Sequence, residues 1–569
     1  MKKLINDAKF VVREMLEGVV ALAPHLALLQ NENVVVRTDL PEKSIRKVAM
    51  ISGGGAGHEP AHVGYVGQGM LSAAVVGDVF TSPSVDAVLA AIRAVSGAAG
   101  ALLVVKNYTG DRLNFGLAAE LARAEGITIE MVLVADDVSL RNTVAADRRR
   151  GIAGTVFVHK LAGAVAEQGG SLAEVADSAR KAADDVRTMG VGLGSCIVPA
   201  LGHAGFSLGE DEIEFGLGIH GEKGVERTRM KPVDAIVDDI LNIILADFGP
   251  DLPAGFAVLV NGLGATPPME LAIVLRGALA NLTKRGLKVG RAWCGNFMTA
   301  LEMPGFSISL LPLDDGRLVL LDSGVSAAAW QGSGALHYPL AVIAAEEVTV
   351  AEAGPGDGPV SAQLRNVASA VAAALEAAEV ELSDLDSKAG DGDLGASMVR
   401  GANAIRELSA ASYSTPSRFL TDLGSAVRRA IAGSSGPFYA TALVRAARHL
   451  QGQDNPAEEE WRQAFAAAIE AISELGGAKR GDRTMLDALY PALDAWNAVG
   501  SAVYGPTAGF AAAALAARKA AASTENLKPK FGRASYLGDR ALGIPDGGAT
   551  AVAIWISAVS NTLNASRVP

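Results

Sequence analysis

The 569-residue sequence is short of cysteine, of positive charge and of long apolar runs. Its two cysteines, Cys196 and Cys294, exclude a disulfide framework and a four-cysteine zinc site, and they suit a reducing compartment. Each reads as a small buried apolar residue rather than a nucleophile. Lys and Arg total 50 against 62 Asp and Glu, and the net charge of −12 opposes loose attraction to nucleic acid or anionic membrane. No stretch of 18 or more residues escapes glycine, polar or charged interruption, so no membrane-spanning helix is expected. The opening MKKLINDAKFVVREMLEG carries Asp7, Arg13, Glu14 and Glu17 and lacks the apolar core of a secretory signal. A Gly-Lys dipeptide is missing, and with it a Walker-type phosphate loop; DFG at 247–249 has no H-R-D partner. These absences describe a soluble, cytoplasmic protein with no nucleic-acid or membrane partner.

Apolar residues make up 50% of the chain, enough for several cores in a length that predicts about three to five structural units. From about residue 45 to 330, runs rich in Val, Ile and Leu end in Gly or Asp loops and alternate with helical patterns. Val48–Ile51, Ala101–Val105, Ile127–Val134, Phe256–Val260 and Leu318–Leu321 read as strands. Such α/β layers place ligands in loops at the carboxyl ends of strands. GPDLPAG at 249–255 reads as an inner seam, and two lobes are expected, divided near residue 185. EAGPGDGP at 352–359 has linker composition. Beyond it the chain is Ala-rich, and Leu364, Val367, Val371 and Leu375 mark one face of a helix. The expected organisation is an α/β domain over 1–335, a linker over 336–359 and a helical domain over 360–569.

Four constellations carry ionisable groups. HEPAH at 58–62 matches the zinc-protease pattern, but Pro60 and the preceding glycines exclude a continuous helix, so His62 reads as structural. SGGGAGHEPAH at 52–62 reads instead as a Gly-rich loop after a strand, with His58 and Glu59 at its rim. KNYTGD at 106–111 gathers Lys106, Asn107, Thr109 and Asp111, where Lys binds oxygen and Asp accepts a hydroxyl proton. GLGIHGEKG at 216–224 sets His220 between glycines, and a neutral imidazole is a competent nucleophile toward a carbonyl carbon. LDSKAGDGDLGASM at 385–398 brings Asp386, Asp391 and Asp393 together as hard oxygen ligands for Mg²⁺ carrying phosphates; the spacing fails the EF-hand template. Taken singly, each of the first three also has a plain reading: a tight turn, a capped helix, a loop histidine. AGSSGPFYAT at 432–441, GGAKRGDRTMLDAL at 476–489 and GRASYLGDRALGIPDGGAT at 532–550 add polar loops to the helical half and point to one nucleotide site at a common end.

GGGAGHEPAH, KNYTGD, GIHGE, the GDGD loop, SSGPFY, GDRTMLDAL and ASYLGDR follow one another nearly end to end. In that order they resemble the single-chain, ATP-dependent dihydroxyacetone kinases. The resemblance implies a two-lobed α/β kinase domain followed by an all-α helical-barrel nucleotide-binding domain. It implies a covalent hemiaminal between His220 and the substrate ketone, with His58 and Asp111 in acid–base work and Gly55, Ala56, Gly57 and Lys106 as further substrate contacts. Asp386, Asp391 and Asp393 match the ligands of two Mg²⁺ ions. Leu394, Gly395, Ala396, Ser397, Ser434, Ser435, Gly477, Thr484, Met485, Arg533, Asp546 and Gly547 match positions around ATP. The family commonly has Ser at Ala56, a small or polar residue at Leu394, and D-P-G-A where this chain has DGGA at 546–549.

The activity implied is phosphorylation of dihydroxyacetone and related short ketoses or aldoses such as glyceraldehyde, by a homodimer whose ketone and nucleotide sites meet across chains. A tetrulose (erythrulose) kinase is the nearest alternative, followed by a flavin-cyclising FAD-AMP lyase and a ketone-sensing regulator; the carboxylate trio argues against the last.

Overall fold

Runs of Val, Ile and Leu build two six-stranded sheets. The computed structural model describes residues 2–345, 358–431, 433–499 and 508–565, and the chain divides into two compact units, Met1–Ile343 and Ala344–Pro569. The EAGPGDGP stretch, apart from Gly358 and Pro359, lies outside the described residues.

The first sheet holds β1 (Leu26–Leu28), β2 (Val34–Arg37), β3 (Ala49–Ala56), β4 (Ala73–Val79), β5 (Ala101–Lys106) and β6 (Ile129–Val134), in the order β1-β2-β4-β3-β5-β6. β4, β3, β5 and β6 run parallel, and β5 is buried at every position between helices on both faces. This is why these strands read as unbroken apolar runs rather than alternating ones. The second sheet holds β7 (Arg187–Gly192), β8 (Glu212–Phe215), β9 (Glu226–Arg229), β10 (Gly255–Gly262), β11 (Lys288–Gly295) and β12 (Gly305–Pro312), in the order β11-β10-β12-β7-β8-β9. Only β10 and β11 pair in parallel; the other pairings are antiparallel.

Two expectations change here. Leu318–Leu321 is not a strand but part of a helix, Asp315–Asp322, because the Asp314 side chain caps it, accepting from Arg317 N at 2.8 Å. Val319 is exposed and Leu321 buried, a one-sided pattern that four consecutive apolar letters conceal. GPDLPAG is no seam: it joins the helix Val233–Asp247 to β10 inside the second sheet's own layer.

The second unit is all helical among its described residues. Helices Pro359–Ala377, Leu394–Arg406, Pro416–Ala430, Ser435–His449, Glu458–Gly476, Leu486–Ala498, Ala508–Ser523 and Gly547–Ala565 each pack on the next, and the last packs on the first. That closes a barrel around an apolar cavity of about 630 Å³ lined by Leu364, Phe419, Trp461 and Trp555 among others. The shorter helix Glu379–Ala389 sits against Leu394–Arg406. Small alanines at Ala368, Ala372, Ala513, Ala517 and Ala549 fill the helix contacts, so the Ala richness is a packing device. Among the described residues no helix is long and apolar enough to cross a membrane.

Candidate active site

In the first unit, β3, β4 and β5 end side by side. SGGGAG is strand rather than loop: β3 runs through Gly53, Gly54 and Gly55 to Ala56. The glycines are there for close approach. A Cβ on Gly53 would stand 2.2 Å from the Val75 carbonyl oxygen, and one on Gly54 2.3 Å from Lys106 Nζ. Lys106, the last residue of β5, thereby lays its ammonium across the bare end of β3. It is fully buried, donating to Gly53 O at 3.3 Å and to His62 Nε2 at 3.0 Å, with Asp111 Oδ2 3.9 Å away. Burial pushes its pKa down, and Asp111 opposes that. Asp111 lies in the first turn of the helix Thr109–Ala124; its carboxylate does not cap the helix but accepts the Ser82 hydroxyl.

His58 follows β3 in a turn. Its Nδ1 donates to the Thr299 carbonyl at 2.8 Å, which leaves Nε2 unprotonated, buried and without a partner among the described residues. Burial holds this imidazole well below the usual histidine range, and His220 and Lys106 push the same way. The segment after β11 seats it: Thr299 N donates to His58 O at 3.2 Å and Leu301 N to Gly57 O at 2.7 Å. Thus the loops of both sheets meet at His58.

His220 lies between β8 and β9, and its ring stands edge-on to those of Tyr108, His58 and Phe80 at centroid distances of 4.6, 4.9 and 5.3 Å. Its Nδ1 donates to Glu222 Oε1 at 3.0 Å and its backbone N to Glu222 Oε2 at 2.9 Å. Burial works to raise the Glu222 carboxyl, but the hydrogen bond and charge of His220 prevail and hold it at about 2. An ionised Glu222 fixes the proton on Nδ1 and leaves the Nε2 lone pair free for attack. Gly218 makes room for this carboxylate, since a Cβ there would lie 2.0 Å from Glu222 Oε2. Arg150 anchors the loop by donating to Gly216 O at 2.7 Å and to Asp137 Oδ2 at 2.8 Å.

In the second unit, ligand oxygens of Asp386, Asp391 and Asp393 all lie within 4.8 Å of one another. Asp386 is on the helix Glu379–Ala389, Asp391 in the loop, and Asp393 at the start of Leu394–Arg406. Three carboxylates at that separation fit a hard divalent cation. The other polar loops converge on them. Asp391 pairs with Arg533; a Cβ on Gly547 would meet Leu394 Cδ2 at 2.7 Å, and one on Gly548 would lie 3.7 Å from Met485 N. Gly477 is left-handed (φ 72°), ends the helix Glu458–Gly476 and faces Phe531, while Gly476 faces Phe438 one turn after Ser434 and Ser435. Gly395 is forced, because a Cβ would fall 2.1 Å from Glu379 O; Ala396 and Ser397 follow it in the first turn, and Ser397 Oγ accepts from Arg400. Thr484 N donates to Asp487 Oδ2 at 2.8 Å, ordering the TMLD turn. Burial pushes the Asp546 carboxyl up to about 6, and its Oδ1 accepts from Ala549 N at 2.8 Å. The residues read as nucleotide contacts stand on these loops or in the first turns of the helices Leu394–Arg406, Ser435–His449 and Gly547–Ala565.

Residues 17–329 match the Dak1 domain and residues 388–561 the DAK2 domain. The chain belongs to the dihydroxyacetone kinase family. It is 42% identical to the human triokinase/FMN cyclase over 99% of both chains, and 37% identical to the dihydroxyacetone kinase of Citrobacter freundii over 98% of both. The crystal structure of the C. freundii dihydroxyacetone kinase in complex with AMP-PNP and Mg²⁺ matches with a TM-score of 0.65 and 35% identity, covering 98% of this chain and 99% of that one.

Within this dihydroxyacetone kinase family member, several residues escape a reading of the sequence. Glu222 sits two residues after His220 across a single glycine, and the H-G-E spacing is the signal that would have found it. Tyr108 stands inside KNYTGD without being singled out there, and Phe80, Ser82 and Thr299 carry no motif signal; only chain folding brings them to the site.

Proposed function

We propose that the chain transfers the γ-phosphoryl group of Mg-ATP to dihydroxyacetone and to related short carbonyl sugars such as glyceraldehyde, holding the substrate as a hemiaminal on His220. The observation that carries this reading is the His220–Glu222 pair, an imidazole whose Nδ1 is tied to a carboxylate and whose ring stands edge-on to those of Tyr108 and His58. Nε2 attacks the carbonyl carbon, a C–N bond forms, and the π pair moves to oxygen. That oxygen takes a proton from Lys106, and Glu222 balances the imidazolium that results. Glycerol offers no electrophilic carbon and is excluded. Asp111 and His58, both buried acceptors, serve the substrate hydroxyls: one takes the proton of the reacting hydroxyl, the other orients its neighbour. Gly55, Ala56 and Gly57 form the floor.

Asp386, Asp391 and Asp393 would hold Mg²⁺, which supplies charge neutralisation for the phosphates. ATP would lie along Leu394–Ser397, Ser434, Ser435, Gly477, Thr484, Met485, Arg533, Asp546 and Gly547. Residues 336–359 serve as the tether between ketone and nucleotide domains, and the active unit is a cytoplasmic homodimer with sites completed in trans. Co-expression of His220→Ala with Asp391→Asn tests this, because a mixed dimer regains part of the rate only if sites form across chains.

A panel of dihydroxyacetone, glyceraldehyde, both erythruloses and glycerol decides the substrate. Glycerol turnover at comparable efficiency overturns the hemiaminal reading, and a higher kcat/KM for erythrulose shifts it to a tetrulose kinase. The human relative named triokinase/FMN cyclase favours one second reading, which Mn²⁺-dependent release of a cyclic flavin phosphate would reveal.

A further inference from the structure

The second histidine of HEPAH has no part in the chemistry above, yet it is among the most enclosed polar side chains of the first unit. His62 is 3% exposed and His159, from the helix Thr155–Glu167, is 0% exposed. With Lys106 they form a buried line: Lys106 Nζ to His62 Nε2 at 3.0 Å, and His62 Nδ1 to His159 Nε2 at 3.0 Å. The far end, His159 Nδ1, has no partner among the described residues.

The direction of this line follows from one serine. Ser52 Oγ donates its only proton to Val104 O at 2.7 Å, so toward His62 Nδ1, 3.4 Å away, it is an acceptor. His159 Nε2 on the other side needs only accept as well. Nδ1 of His62 therefore carries the proton, and Nε2 presents a lone pair to Lys106. Protonation of either ring is opposed, first by burial and then by the charge of Lys106. An ammonium has three N–H bonds. His62 takes one and Gly53 O a second, which aims the third toward Asp111 and the pocket. Without His62 the four-carbon stem of Lys106 would lose the contact that fixes its last torsion.

We propose that His62 is a positioning residue of the phosphotransfer site, aiming the Lys106 ammonium at the substrate oxygen in the tautomer that Ser52 imposes. The proposal rests on the ketose-kinase reading, under which Lys106 touches substrate.

Full-length wild type, His62→Leu, His62→Gln, Lys106→Met and the double variant His62→Leu/Lys106→Met would be assayed with dihydroxyacetone and Mg-ATP. An inert wild type refutes the ketose-kinase reading itself, so that failure is separable from failure of the positioning role. With an active wild type, His62→Leu is expected to lower kcat/KM for the ketose by about 100-fold, the scale of an ångström-sized misplacement, with KM for ATP unchanged. His62→Gln, whose amide oxygen can still accept from Lys106, is expected to recover a substantial part. In the Lys106→Met background, His62→Leu is expected to cost little more, because the two act as one unit. Kinetics within threefold of wild type for His62→Leu would overturn the proposal, as would full additivity of the two lesions or equal loss in the Leu and Gln variants. Should His62→Leu not fold, His62→Gln decides: it must retain more ketose kcat/KM than Lys106→Met, or the positioning role fails.

Discussion

The two candidate sites of this chain solve opposite problems. The site in the α/β unit is dry: His58, His62, His159 and Lys106 are buried, three of these four are neutral imidazoles, and glycines allow the backbone to close on them. The site in the helical unit is wet, with Asp391 and Asp393 exposed and Asp391 in a surface ion pair with Arg533. A nucleophilic imidazole needs a fixed tautomer, which Glu222 supplies to His220, while burial keeps the neighbouring His58, His62 and His159 uncharged. Carboxylates that receive a hydrated cation with a triphosphate need solvent access and like-charge crowding, which burial would forbid. The difference teaches that one chain can separate substrate activation from phosphoryl delivery by dielectric environment as much as by residue type.

The sharpest way to break that comparison is at its most preorganised atom. His220→Ala should reduce turnover by about 10³–10⁴-fold, the range of a lost nucleophile or acid–base group, and should abolish the ketone adduct in a native mass spectrum while nucleotide binding persists. Acidification separates the units next. His58, His62 and His159 have folded pKa values below the unfolded value near 6.5, so the unfolded state binds more protons and stability falls as pH drops below that value. Asp136, raised to about 6 by burial, opposes them in the same unit. The three histidines outweigh it, so the α/β unit is expected to lose stability from pH 7 to pH 5. In the helical unit Asp546, also raised to about 6, has the opposite sign: its stabilisation is present at low pH and is lost as pH climbs from about 4 through 6. Scanning calorimetry at both pH values should show the α/β transition moving down and the helical one holding.

Smaller effects sharpen the contrast. Asp391→Asn should weaken Mg²⁺ and nucleotide binding by up to about 100-fold, read by calorimetric titration, with the ketone adduct intact. Loss of the adduct in that variant would refute the division between the sites. Gly54→Ala inserts a Cβ onto Lys106 Nζ and should lower ketose kcat/KM by tens of fold, on the scale of misplaced catalytic groups, while costing about 1–3 kcal/mol of stability. Least of all, Lys388→Ala removes an exposed i,i+4 pair with Asp384 and should change the urea midpoint by less than about 0.5 kcal/mol.

Much of this was readable from residue order. Val and Ile runs ending in Gly or Asp loops announced the buried strands of α/β layers, because a doubly buried strand tolerates only apolar side chains. Ala-rich periodicity announced close-packed helices, and the DSKAGDGD run at 386–393 carried three metal-type carboxylates on one short segment. Lys106, Asp111 and His58 stood out as polar groups directly after apolar strands, His220 only as an imidazole between glycines, and the roles of all four came from the family resemblance. Tertiary structure alone decided the rest. It extended β3 through the three glycines, since the clashes that make them necessary come from Val75, Lys106 and Thr81, 22 and more residues away. It turned Leu318–Leu321 into a helix through the Asp314 cap. It chose the tautomers: His58 through Thr299, His220 through Glu222 and His62 through Ser52. A proton's place on an imidazole depends on which acceptor lies within about 3 Å, and that distance exists only after residues far apart in the chain have packed together.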